Sequence, residues 1–130
     1  MPNNGLSPRV LIVDDECVIA DTLALILNKS GFETRAVYSG ETALEAAIAL
    51  RPNVLISDVM MHGMNGIDAA IRISAHLPGC RIILFSGNAT TTNLLRDAEA
   101  HGHHFEMLAK PIHPRTLLDR LSGPEQVATA

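Results

Sequence analysis

Short apolar runs alternate with longer amphipathic stretches five times along this 130-residue chain. The runs are Val10–Val13, Phe32–Val37, Val54–Ile56, Arg81–Phe85 and Met107–Ala109, each short and bounded by polar or turn residues, as buried strands are. Between them apolar residues recur at three- and four-residue spacing. Ile19, Leu23, Ile26 and Leu27 share one face of a helix over Val18–Lys29, with Gly31 as its stop signal. Phe32–Val37 is mixed in polarity, which predicts a strand nearer the sheet edge. Ser39 is a candidate N-cap for a helix over Glu41–Leu50, with Leu44, Ala47 and Ile48 inward and Pro52 barring continuation. Asn53–Ser57 reads as the third strand. Asn65 with Asp68 resembles a capping box for a helix over Gly66–His76, and Pro78-Gly79 is a turn. Arg81–Phe85 is the most hydrophobic strand. A helix over Thr90–His101 with Leu94, Leu95 and Ala98, a strand over Phe105–Ala109, and a helix over Arg115–Leu121 with Pro114 in its first turn complete the series.

Strands alternating with helices of about ten residues imply right-handed βαβ units and a parallel sheet. Five such units make one doubly wound α/β domain with helices on both faces. Residues 1–8 read as a flexible N-terminus, 9–122 as the domain, and 123–130 as a tail or the start of a linker. No second domain is expected.

Four of the five runs lead into polar side chains: the pair Asp14-Asp15, then Asp58, Ser86 and Lys110. In an open parallel sheet the carboxyl ends of the strands form the functional edge. Carboxylates about 4 Å apart repel by roughly 4 kcal/mol at an intermediate effective dielectric, so a converging set calls for a cation. Oxygen ligands alone select a hard ion, and Mg²⁺, or Mn²⁺, suits phosphate chemistry. Lys110 supplies a positive charge that can pair with Asp58 and later with a phosphoryl oxygen, and Ser86 supplies a hydroxyl. A carboxylate can itself be the nucleophile and form an acyl phosphate. Asp58, alone on its strand, is the candidate.

The bland readings are weaker. Asp14-Asp15 as a helix cap leaves Asp58 unexplained, and Lys110 as a surface lysine ignores its place between a buried strand and Pro111. His101, His103 and His104 read as an exposed helix–strand turn. Met60, Met61 and Met64 read as loop packing rather than a soft-metal site. Cys17 and Cys80 read as buried small hydrophobes or inert thiols. Two free thiols fit a reducing compartment, so the cytoplasm is expected.

Composition narrows the field. Hydrophobic residues make up 47% and aromatics 3%, so the core is aliphatic. A net charge of -4 without a basic stripe argues against direct nucleic-acid binding by this domain. No apolar run approaches a membrane-spanning length.

The motifs together resemble the receiver domains of two-component response regulators, of flavodoxin-like fold. They are Leu11-Ile12-Val13-Asp14-Asp15-Glu16, Ser57-Asp58-Val59-Met60-Met61, Met64-Asn65-Gly66, Ser86-Gly87 and Lys110-Pro111. The resemblance implies strand order 2-1-3-4-5, with the site between the first and third strands. It implies Asp58 as phosphoacceptor, and Asp15, Asp58 and the Met60 backbone carbonyl as direct metal ligands. Asp14 would act through water, with Ser86 and Lys110 as the switch hydroxyl and lysine and a cis Lys110–Pro111 bond. Met60 and Asn88 would flank the path of attacking water. The phosphodonor would be a histidine kinase or a phosphotransfer protein, and the altered face would bind a downstream protein; a homodimer stays open. Such a domain assists its own phosphorylation and dephosphorylation and is not an enzyme on an external substrate.

The chain departs from the family in three places. His62 stands where Pro is usual, so a less rigid loop is expected. Met107 occupies the aromatic switch position, with Phe105 two residues earlier on the same face. Third, no output domain is expected within these residues, so the chain reads as either a stand-alone receiver or an excised piece. Two rivals stand beside this reading. One is a phosphatase with an Asp nucleophile, which usually needs a second acid two residues later, where Met60 stands. The other is a receiver-like interaction module that is never phosphorylated.

Overall fold

The computed structural model describes residues 8–87 and 91–122. Its elements alternate without exception: β1 (Arg9–Val13), α1 (Cys17–Lys29), β2 (Glu33–Val37), α2 (Gly40–Leu50), β3 (Val54–Asp58), α3 (Gly66–His76), β4 (Arg81–Ser86), α4 (Thr91–Ala100), β5 (Glu106–Ala109) and α5 (Pro114–Ser122). All strand pairs are parallel, in the order β2-β1-β3-β4-β5. The expected strand order is therefore observed. The N-terminal and C-terminal segments expected to be loose lie outside the described residues, apart from Pro8.

The strands are apolar on consecutive residues because both sheet faces are covered. Leu11, Val13, Leu55 and Leu84 point to one layer, against Ala43, Ala46 and Ala47 of α2, Ile67, Ala70 and Ile73 of α3, and Ala98 of α4. Val10, Ile12, Ile56, Ile83 and Phe85 point to the other, against Ala20, Leu23 and Leu27 of α1 and Leu117 of α5. This division follows from crossover handedness. The chain moves one way from β1 to β2 and the opposite way through β3, β4 and β5, so α1 lies on the face opposite to α2, α3 and α4.

Local signals hold at the helix starts. The Ser39 side chain accepts the Thr42 N–H at 3.1 Å, and the Asn65 side chain accepts the Asp68 N–H at 2.9 Å. Four expectations are corrected. Ile48 is 50% exposed and Leu44 half-buried, because α2 lies close to its neighbours through small residues. A Cβ on Gly40 would stand 2.9 Å from the Met64 Cβ; the expected Ala47 does face inward, joined by Ala43 and Ala46 rather than by Ile48. Cys17 is exposed at the start of α1 and is not a core residue. Met60 is 44% exposed and does not pack its loop. Phe32 and Phe105 precede their strands, although Phe105 is buried with its ring stacked on His103.

Candidate functional site

β1 and β3 are neighbours, yet the chain leaves them in opposite directions, which opens a crevice at their carboxyl ends. Asp14 and Asp15 follow β1, and Asp58 is the last residue of β3. One carboxylate oxygen from each lies within 4.8 Å of the others. Asp14 does not cap α1: its N-cap is Glu16, and the Asp14 Oδ1 accepts the Glu16 N–H at 2.9 Å.

Asp14 is fully buried, and its Oδ2 accepts no hydrogen bond among the described residues. Burial, joined by the charge of Asp58, raises its carboxyl pKa above the ordinary range despite the Glu16 N–H and the Lys110 charge. An orphaned carboxylate oxygen in such a cluster fits a site for a hard cation. These residues therefore have the donor chemistry of a divalent-metal site.

Asp58 is 4% exposed. Its Oδ1 accepts the Met60 N–H at 3.3 Å, and its Oδ2 accepts from the Lys110 Nζ at 2.9 Å. Lys110 also stands 3.9 Å from the Asp14 Oδ2 and 5.3 Å from the centre of the Phe85 ring. Burial alone would lower the lysine's pKa, but the hydrogen bond and charge of Asp58, with Asp14 and Glu16, raise it. Lys110 is thus no ordinary surface lysine, and its bond to Pro111 is cis. Ser86 ends β4 beside it, where the Ser86 carbonyl accepts the Lys110 N–H at 3.1 Å. All five polar residues singled out in the sequence therefore gather at one sheet edge.

Three residues that the motifs included or the comparison with the family set apart, Ser57, Gly66 and His62, make contacts at the site that the sequence did not foretell. The Ser57 hydroxyl donates to the Asp58 carbonyl at 3.0 Å beneath the cluster. Gly66 packs so closely on β3 that a Cβ there would lie 2.0 Å from the same carbonyl. His62 meets Asp15: its backbone N–H donates to the Asp15 Oδ2 at 3.1 Å, and its Nδ1 stands 2.8 Å from that oxygen. His62 thus gives the β3–α3 loop two contacts with Asp15 that a proline there could not make. Asn88 lies outside the described residues. The three histidines after α4 join no metal-ligating group among the described residues; His101 and His104 are exposed and His103 half-buried.

The family profile of the response regulator receiver domain matches residues 10–122. This chain belongs to that family. The receiver domain is 33% identical over 113 residues to the DNA-binding response regulator MtrA of Mycobacterium tuberculosis, covering 87% of this chain and 48% of MtrA. It is 30% identical over 118 residues to the chemotaxis protein CheY of Thermotoga maritima, covering 90% of this chain and 97% of that one. The chain thus spans about half the length of the MtrA relatives and nearly all of CheY. The structure of Vibrio cholerae CheY4 superimposes with a TM-score of 0.77 at 30% identity, covering 89% of this chain and 97% of CheY4. The receiver domain of the hybrid histidine kinase CckA does so at 0.72 and 28% identity, covering 88% and 95%. The receiver domain is a module of two-component signalling. No helix among its described residues is long and apolar enough to cross a membrane.

Proposed function

We propose that this receiver domain is a switch phosphorylated on Asp58. The supporting observation is the pairing of a nearly buried Asp58 with Lys110 at 2.9 Å, beside an Asp14 oxygen that lacks a hydrogen-bond partner among the described residues. Asp58 is the acid in hydrogen-bond contact with the ammonium, so charge added there is met by an existing cation. An Asp58 oxygen attacks the phosphorus of a phosphohistidine on a histidine kinase or phosphotransfer protein. A P–O bond forms, the P–N bond breaks, and the imidazole leaves with that electron pair.

Asp15, Asp58 and the Met60 backbone carbonyl would hold Mg²⁺ or Mn²⁺, with Asp14 acting through water. Such an ion supplies positive charge to the phosphoryl oxygens and to the crowded carboxylates. Lys110 exchanges its carboxylate contact for a phosphoryl oxygen, and the Ser86 hydroxyl donates to another. Because the Lys110 N–H already bonds the Ser86 carbonyl, both shifts act on the joined ends of β4 and β5. The face made by α4, β5 and α5 then binds a downstream protein differently. Met107, half-buried among the residues of the α3 and α4 layer, would repack there in place of a turning aromatic ring. The exposed Met60 lies at the mouth, where water reaches the acyl phosphate. The domain assists only its own phosphorylation and hydrolysis, in the cytoplasm, and a net charge of -4 fits a protein partner rather than nucleic acid.

The test is the intact mass after incubation with acetyl phosphate and Mg²⁺. The wild type should gain one phosphoryl group and Asp58→Asn none; an unmodified wild type refutes the proposal.

A further inference from the structure

We infer that His62 is a positioning residue for the cation site, holding Asp15 in its ligating orientation. The inference rests on the metal-dependent reading above. Two donors from His62 converge on one oxygen: the backbone N–H at 3.1 Å and the ring Nδ1 at 2.8 Å from the Asp15 Oδ2. An ionised carboxylate only accepts, so Nδ1 carries the proton and donates, whatever the state of the distal ring nitrogen. Two donors occupy both lone pairs of Oδ2. A cation in the cluster with Asp14 and Asp58 is left with Oδ1.

The partners are 47 residues apart in sequence and belong to different segments, the end of β1 and the β3–α3 loop. Both segments supply proposed ligands, Asp15 from one and the Met60 carbonyl from the other. The contact thus sets the span between two ligands as well as the rotation of one. The far side of the loop is steadied separately, where the Met64 N–H donates to the Glu41 Oε2 of α2 at 3.4 Å. The His62 side chain is fully exposed, and exposed ion pairs add little to stability. The consequence of this contact therefore lies in the orientation of Asp15. Hydrogen bonds to ligating carboxylates typically change metal affinity by 10- to 100-fold. A proline at this position would supply neither donor.

Isothermal titration of the full chain with Mg²⁺, without phosphodonor, tests the inference. His62→Ala should weaken binding by about tenfold, near the lower bound for such outer contacts. His62→Asn should restore it, because its amide nitrogen can take the place of Nδ1. All three proteins should melt at the same temperature in EDTA. Equal or tighter binding by His62→Ala overturns the inference, as does an Asn variant no better than Ala. A metal-free melting loss that parallels the binding loss also overturns it, since a folding defect would then explain the effect. A wild type that binds no Mg²⁺ sinks the parent reading; a wild type that binds with a flat variant series sinks this inference alone.

Discussion

Asp14→Asn should stabilise the metal-free protein, although Asp14 is completely buried. The side chain is nearly isosteric, and its Oδ1 can keep the 2.9 Å bond from the Glu16 N–H. What changes is the second oxygen, which is charged, buried and without a hydrogen-bond partner. An unsatisfied buried polar atom costs about 1–3 kcal/mol, and more when charged. Two charge effects accompany it. A unit charge about 4 Å away contributes roughly 4 kcal/mol at an effective dielectric near 20. Asp58 repels and Lys110, 3.9 Å from the Oδ2, attracts, so these oppose each other and desolvation decides the sign. The expected gain is about 1–3 kcal/mol, or roughly 4–12 °C at about 4 °C per kcal/mol for a domain of this size. The pH dependence follows from the raised carboxyl pKa. In acid, below the unfolded carboxyl range, Asp14 is neutral in both states and the penalty is absent. The wild type loses stability as pH rises through the folded-state value, so the Asn variant's advantage grows toward neutral pH. Mg²⁺ should shrink or reverse the difference, because a ligand of the native cluster stabilises the wild type by mass action. Thermal melts in EDTA and in Mg²⁺, from about pH 3 to about pH 8, measure all of this across the carboxyl titration. No gain at neutral pH in EDTA, or a gain unchanged in acid, refutes the reasoning.

Gly66→Ala should lower the urea midpoint, since its Cβ would meet the Asp58 carbonyl at 2.0 Å and overpacking of that kind costs about 1–3 kcal/mol or more. An unchanged midpoint would show that α3 can shift at no cost. Glu106→Ala should cost about 3–5 kcal/mol, because it removes a nearly buried carboxylate that Arg81 grips at 2.6 and 2.9 Å and Arg120 at 3.3 Å. A loss below about 1 kcal/mol, the range of exposed pairs, would contradict that. With a thiol alkylating reagent at neutral pH, the exposed Cys17 should be labelled first. Cys80, half-buried and with its thiol pushed up to about 11 by burial, should react much more slowly until the protein unfolds; equal rates in the folded protein would refute this.

Much of this protein is determined by local patterns that any reader of the chain can follow. Strands buried on both faces need consecutive apolar residues, and Val10–Val13 and Ile82–Phe85 carry them. Ser39 and Asn65 announce helix starts because a short polar side chain caps the backbone two or three residues on. Asp14, Asp15, Asp58, Ser86 and Lys110 were legible because a parallel sheet brings its carboxyl ends to one edge. Tertiary structure alone decided the rest. The inward face of α2 turned on how closely alanines let it approach its neighbours, not on which residues are most hydrophobic, so Ile48 lies outside. Ser57 beneath Asp58, the close approach of Gly66 and the grip of His62 on Asp15 have no periodicity or spacing to betray them. Periodicity reports a residue's relation to its own helix or strand. A contact between the ends of β1 and the β3–α3 loop exists only once those strands lie side by side in register.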